Sequence, residues 1–216
     1  MTKTARLLPA PSFTFEEKLQ AMHGAPVAGV DEAGRGPWAG PVIAAAVILD
    51  PLNTPAGLND SKKLTQKMRE ALFQSISQTS CVGIGIAERE RIDEDNILQA
   101  TLWAMSRAIA DLGEKPGAAL IDGNKCPALP CPAEALVSGD ARSLSIAAAS
   151  IMAKVTRDRI MQKLARQYPG YGWERNKGYG TREHAGALKR LGVTPQHRRS
   201  FKPIREILEI QILSGG

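Results

Sequence analysis

The sequence predicts a mixed α/β sheet flanked by helices, with a helical extension at the C-terminal end. Three observations carry this. Short apolar runs bounded by Gly and Pro alternate with longer segments whose apolar residues recur at helical spacing. Several of the apolar runs end in acids, and ligands collect at strand ends in α/β sheets. No linker divides the 216 residues into two domains.

In chain order, residues 1–26 read as an N-terminal tail. Residues 1–11 carry two basic residues but no long apolar stretch, so no secretory signal is expected. Residues 27–32 and 42–49 are apolar enough for buried strands. Leu64, Met68, Leu72 and Ile76 recur every four residues and mark an amphipathic helix. Residues 81–87 alternate small and β-branched side chains as a third strand. Asp93 and Asp95 are suitable N-terminal charges for a helix carrying Leu98, Leu102, Met105, Ile109 and Leu112, which Gly113 and Pro116 end. Residues 118–121 and 133–137 are short strands, followed by Asp122-Gly123-Asn124 and Ser138-Gly139-Asp140. A long helix spans 144–168, stopped by Pro169-Gly170, with Ser143, Ser150, Lys154 and Arg157 spaced as a polar stripe that begins beside Asp140. A glycine- and aromatic-rich loop over 170–180 precedes helices at 182–191 and 204–213.

Composition narrows the partners. Hydrophobic residues make up 43%, enough for a core, and the sparse aromatics leave small apolar side chains to fill it. Lys and Arg number 28 against 22 acids, a net charge of +6 that suits a polyanion. No apolar stretch approaches a membrane span without interruption. Cys81, Cys126 and Cys131 read as reduced thiols in a cytoplasmic protein. Cys126 and Cys131 lack paired zinc-site spacing and have no His nearby in sequence.

The chemistry concentrates in Asp31-Glu32-Ala33-Gly34-Arg35-Gly36-Pro37. Two acids end a buried strand, where burial is costly unless a positive group meets them. The Gly-Arg-Gly loop that follows frees backbone N–H groups and presents a guanidinium, a combination suited to phosphate or a sugar hydroxyl. Asp122 and Asp140 end two further strands. Each alone would be a simple turn, but three such ends in one small domain can converge on a cation pair. All-oxygen ligation suits Mg²⁺ or Mn²⁺. Adjacent strand residues point to opposite faces, so Glu32 needs a bulge, a strand end, or ligation through its carbonyl to join Asp31.

Together with Asn59-Asp60-Ser61-Lys62-Lys63-Leu64, the 145–155 block and Lys177-Gly178-Tyr179-Gly180-Thr181, these motifs resemble bacterial ribonuclease HII, of the type 2 ribonuclease H family. The resemblance runs in order from residue 27 to 201. It implies a ribonuclease H-like fold, with a catalytic core over 27–168 and a C-terminal loop and helical extension over 169–216 packed on it as a single domain. It implies a metal-dependent endoribonuclease that hydrolyses RNA in RNA–DNA hybrids. It also implies incision 5′ of single ribonucleotides in duplex DNA, leaving 5′-phosphate and 3′-hydroxyl ends. By the same resemblance Asp31, Glu32, Asp122 and Asp140 are the catalytic carboxylates, holding two Mn²⁺ or Mg²⁺ ions. Gly34, Arg35 and Gly36 read the 2′-hydroxyl and hold nearby phosphate, and Tyr179 contacts that hydroxyl and stacks on the following sugar. Lys62 and Lys154 contact phosphate or support the metal ligands. The implied partners are an RNA–DNA hybrid and ribonucleotide-containing duplex DNA, with the protein a monomer. Ribonuclease HIII resembles this family too, but usually has lysine in the glycine loop and a further N-terminal domain; Arg35 and the short 1–26 segment point away from it.

Two other readings stay open at this point. Another two-metal nuclease on the same fold would keep the carboxylates without needing the 34–36 loop and Tyr179. A non-catalytic nucleic-acid binding protein would need no acids at strand ends. Lys177, Arg182, Arg198 and Arg199 either line a duplex groove or are solvated surface. Tyr171 and Trp173 read as packing residues, and His184 as a structural or phosphate contact rather than a catalyst. Gln211-Ile212-Leu213 lacks the following aromatics of a sliding-clamp peptide, and no clamp binding is expected.

Overall fold

The computed structural model describes residues 10–24 and 26–214. Five strands form one sheet: β1 (Val27–Ala33), β2 (Val42–Ile48), β3 (Cys81–Ala87), β4 (Ala118–Asp122) and β5 (Ala133–Leu136), in the order β3-β2-β1-β4-β5. β1, β2 and β3 pair antiparallel, while β1–β4 and β4–β5 are parallel. The sheet is therefore mixed, as the sequence predicts.

Helices cover both faces. One face carries α5 (Leu144–Gln167), with α2 (Gln66–Thr79) beside it, over a core that includes Ile43, Ala45, Val47, Ile76, Ala148 and Ile151. Small residues permit close approach: a Cβ on Gly29 of β1 would lie 2.2 Å from the backbone carbon of Ser145. The other face carries α4 (Ile97–Ala110), preceded by α3 (Arg89–Asp95), over Ala28, Val30, Ala44, Ala46 and Ile121. α6 (Trp173–Asn176), α7 (Arg182–Leu191) and α8 (Lys202–Ser214) follow α5. Tyr171, Trp173, Leu188 and Ile204 make a cluster with Met161 of α5 and Ala39 of the β1–β2 connection. None of the helices among the described residues is long and apolar enough to cross a membrane. Cys81, Cys126 and Cys131 are free thiols.

Three expectations are corrected. The segment read as a tail contains α1 (Thr14–His23). Leu19 of this helix is buried with Val27 and Leu120, and Glu16 Oε1 accepts the Ser145 N–H at 2.9 Å, capping α5. Only Glu16 and Leu19 of α1 are buried, too few to make an apolar helical pattern in the sequence. The proposed 93–112 helix is two helices. Asn96 adopts φ 72°, and its Oδ1 accepts the N–H groups of Leu98 and Gln99, so it caps α4. Asp93 and Asp95 therefore belong to α3. The buried face of α4 is led by Ala100, Ala104 and Ala108 rather than by Leu98 and Leu102, because the helix lies directly on the glycines of β3: a Cβ on Gly85 would sit 1.9 Å from the Ala104 carbonyl. Leu64 precedes α2, which Thr65 caps through Met68 N–H. The residues 1–9 of the tail lie outside the described residues, as do the side chains of Gln211 and Ile212.

Candidate active site

The parallel β1 and β4 present their carboxyl ends on one edge of the sheet, β4 ending in Asp122 and β1 carrying Asp31 and Glu32 just before its last residue, Ala33. The two strands pair from Val27 with Ala118 to Val30 with Ile121. By strand alternation the next residues, Asp31 and Asp122, take the α5 face, and Glu32 takes the α4 face. No bulge separates Asp31 from Glu32. The β1–β2 register continues through Asp31–Ala45, Glu32–Ala44 and Ala33–Ile43, so the strand end at Ala33 is what lets Glu32 reach the shared edge. Asp140 arrives on the turn Gly139–Ala141, which is tied to β4 because Asp122 Oδ1 accepts the Gly139 N–H at 2.7 Å.

These acids crowd one another. Asp31 is buried, and its carboxyl is held well above the usual carboxylate range, first by burial, then by the negative charges of Glu32, Asp122 and Asp140. Burial also raises Glu32, against the opposing pull of Arg35, whose Nη1 donates to Glu32 Oε1 at 3.2 Å. Burial raises Asp140 as well, followed by Asp60 and Asp122, while Lys62 Nζ stands 3.7 Å from its Oδ2. Burial lowers Lys62, but the carboxylates of Asp140, Asp60, Asp31 and Asp122 outweigh it and leave the ammonium raised. Among the described residues no three Asp, Glu, His or Cys side chains form a ready cage for a metal ion.

A cavity of about 360 Å³ opens over Asp31 and Glu32. Its walls include Gly34, Arg35, Gly36, Lys62, Lys154 and Tyr179, six of the residues singled out from sequence. Ser150 and Arg157 of the α5 stripe and Ser61 line it too, and Ser150 Oγ accepts the Ser61 N–H at 3.2 Å. Asp122 instead borders an adjoining cavity of about 180 Å³ with Glu32, Arg35 and Asn124. Lys154 pairs with Asp158 at 2.7 Å. Ser143, the first residue of the stripe, does not reach the cavity; it caps α5 through Ile146 N–H and donates to Glu16.

The loop positions depend on two buried arginines. Arg157 donates to the carbonyls of Pro41, Ala39 and Lys177 at 3.0, 3.1 and 3.0 Å. Arg198 donates to Gly34, Arg35 and Gly40 at 2.6, 3.0 and 2.9 Å. They clip the 34–36 loop and the tyrosine loop to one scaffold. Gly34 is required there: its φ is 99°, and a Cβ would fall 2.0 Å from Arg157 Nε. Arg198 is thus neither groove nor solvated surface, the two alternatives its sequence position allows. Burial, then Arg157, depresses its pKa to about 9, still charged at neutral pH. Nothing local in sequence marks either arginine as internal.

The ribonuclease HII family profile matches residues 28–204. The chain belongs to the ribonuclease HII family. A ribonuclease HII from Ruegeria pomeroyi is 57% identical over 205 residues, covering 94% of this chain and 88% of the relative. The ribonuclease H2 structure from Pyrococcus horikoshii superposes with a TM-score of 0.73 at 30% identity, over 85% of this chain and 97% of that one. The structure of a PCNA:RNase HII complex from Archaeoglobus fulgidus matches with a TM-score of 0.71 at 26% identity, over 84% and 96%. The chain is accordingly an endoribonuclease that hydrolyses RNA in RNA–DNA hybrids.

Sequence reasoning passed over two features of the site. Asp60 bears on Asp140, and its position between Asn59 and Ser61 in a polar loop was the available signal. Arg157 was placed on the polar stripe but not recognised as the anchor of two loops. Tyr171, Trp173 and His184 are buried, in keeping with packing roles, while Arg182 and Arg199 are exposed.

Proposed function

We propose that Asp31, Glu32, Asp122 and Asp140 hold two divalent cations, Mn²⁺ or Mg²⁺, in a cytoplasmic enzyme that cuts 5′ of single ribonucleotides in duplex DNA as well as within RNA–DNA hybrids. The observation that carries this is the Asp31 carboxylate: buried among like charges, and sharing one cavity with the 34–36 loop and Tyr179. Arg35 meets Glu32 and Lys62 stands by Asp140, but Asp31 has no cationic partner of its own among the ion pairs of the described residues, and such a buried acid fits hard cations bound by oxygen. Mg²⁺ commonly completes its shell with water and substrate phosphate, so it does not need a closed protein cage. When bound, the ions would supply an activated water and charge stabilisation at the leaving oxygen.

The chain's own residues do the selecting. Gly34, Arg35 and Gly36 line the cavity, and their backbone N–H groups and the Arg35 guanidinium are the donors a phosphate and a 2′-hydroxyl would meet there. Tyr179 is 46% exposed at the cavity wall, with a ring that can stack on a sugar and a hydroxyl that can bond the 2′-OH. Lys62 and Lys154 add cations for the flanking phosphates. Hydrolysis breaks the P–O3′ bond on the 5′ side of the ribonucleotide. The phosphate stays on the ribonucleotide and a 3′-hydroxyl remains upstream.

The test uses a duplex with one ribonucleotide, labelled at each end in turn, with and without Mg²⁺ or Mn²⁺, and calorimetric titration of the protein with Mn²⁺. Cation-dependent fragments carrying a 5′-phosphate on the ribonucleotide are expected. Cleavage on its 3′ side would overturn the reading of the 34–36 loop. Activity without cations, or Mn²⁺ binding unchanged in Asp31→Asn, would overturn the metal assignment.

A further inference from the structure

Beneath Tyr179 lie two buried histidines that the chemistry above does not use. His184 and His197 face each other, Nε2 to Nε2, at 3.0 Å, and the donors around them determine where their protons sit. The Trp173 indole donates to His184 Nε2 at 3.1 Å. An indole nitrogen only donates, so His184 Nε2 carries a lone pair and the proton is on Nδ1. That Nδ1–H donates to the Tyr179 carbonyl at 3.0 Å. On His197 the Thr194 peptide N–H donates to Nδ1 at 2.9 Å, with the Thr194 hydroxyl 2.9 Å from the same nitrogen. With Nδ1 accepting the peptide N–H, this ring carries its proton on Nε2 and directs it at His184 Nε2, whose lone pair it shares with the Trp173 indole. Each tautomer is single, and both rings are neutral. A second proton on either would set an N–H against another donor. Burial favours the same state, holding His184 below its ordinary value and His197 at about 3.

The chain of contacts ends at the cavity. The Tyr179 ring packs over the glycine loop, with its Cε1 3.5 Å from the place a Cβ on Gly36 would occupy. Trp38, whose ring lies 5.5 Å from that of His184, packs on Gly180 from the other side. The Tyr179 carbonyl thus accepts the His184 imidazole proton together with the Thr181 N–H at 2.8 Å, while the Tyr179 N–H donates to the Asn176 carbonyl at 2.9 Å; His184 is the side chain that ties this turn to the buried layer.

We infer that His184, kept in one tautomer by Trp173 and His197, is a positioning residue that fixes the Tyr179 main chain and thereby the ring that meets the ribonucleotide. The inference rests on the reading of Tyr179 as the ribonucleotide contact. It requires no contact between either histidine and the substrate.

Two measurements test it. In the full chain labelled with ¹⁵N, the imidazole signals of His184 should be pyrrole-like at Nδ1 and pyridine-like at Nε2, with the reverse for His197, and neither should titrate between pH 6 and 8. The opposite tautomer at His184, or titration there, overturns the inference. The second is a double-mutant cycle on kcat/KM with a single-ribonucleotide duplex, using Tyr179→Ala and His184→Phe, which keeps an aromatic ring in the layer. Losses of about tenfold are expected for each, with the double variant no worse than the poorer single one. Losses that multiply would make His184 a packing residue and leave the reading of Tyr179 standing. Equal loss on hybrid and single-ribonucleotide substrates in Tyr179→Ala would instead remove that reading, whatever the cycle shows. Should His184→Phe be too unstable to assay, His197→Phe removes the donor to His184 and enters the same cycle.

Discussion

Asp122 accepts the Gly139 N–H at 2.7 Å, and this bond joins the end of β4 to the turn that presents Asp140. An asparagine at position 122 retains an oxygen for that N–H but loses the charge. Asp122→Asn is therefore expected to unfold within a few degrees of the native chain while its hydrolysis rate falls about a hundredfold or more. Asp31→Asn and Glu32→Gln should lose activity similarly. Thermal denaturation and steady-state cleavage of a hybrid check this together, and near-native turnover in a folded Asp122→Asn would remove Asp122 from the site.

Arg198→Met should be strongly destabilising. The guanidinium reaches the carbonyls of Gly34, Arg35, Gly40 and Pro41, and methionine offers them no donor. Unsatisfied buried acceptors cost about 1–3 kcal/mol each, so a total of about 3 kcal/mol or more is expected. For a chain of this size that corresponds to a fall in Tm on the order of 10 °C. A melting curve like that of the native chain would contradict the anchoring role.

Arg35→Ala is expected to reduce cleavage at single ribonucleotides more than cleavage of long hybrids, by about tenfold in the ratio of kcat/KM values. Arg35 is exposed and bonds Glu32, so the fold does not depend on it. A long hybrid offers many registers in which other contacts compensate. An unchanged ratio would argue against readout by this side chain.

Affinity for hybrid should fall steeply with salt. The chain carries a net charge of +6, and Lys62, Lys154 and Arg35 border the cavity. Counterion release then predicts a log–log slope of magnitude about 3 or more, measurable by fluorescence anisotropy. A flat response would make the basic charge incidental.

Acid should weaken the fold through His197. Its native pKa of about 3 lies below the ordinary 6.5, because of burial and then His184. Below pH 6.5 the unfolded chain binds a proton that the native ring refuses. This contribution is present in full above 6.5 and is lost as pH falls toward 3, amounting to on the order of a few kcal/mol. Urea titrations at several pH values should show a shallower acid loss in His197→Phe than in the native chain. Equal slopes would mean that the ring is protonated when folded.

Much of the architecture is written locally. The apolar runs ahead of Asp31 and Asp122 announce the strands that carry them, and the Pro169-Gly170 stop closes the long helix within a residue of its end. α7 matches the expected 182–191 segment because Thr181, its cap, and Gly192, its stop, sit at the two ends. The break at Asn96 was less visible, since apolar residues at helical spacing continue on its far side.

The sequence by itself determined the family, the sheet with its helices, and the acids and glycines of the site, because each is signalled by residues adjacent along the chain. Only the tertiary structure decided which charges are internal. Arg198 reads as one of several basic residues near the C-terminal end, yet it donates to the Gly34 carbonyl 164 positions away. His184 and His197 are separated by 13 residues, and their tautomers follow from Trp173 and Thr194. A buried polar group is stable only where donors and acceptors converge on it, and that convergence is set by the packing of distant segments.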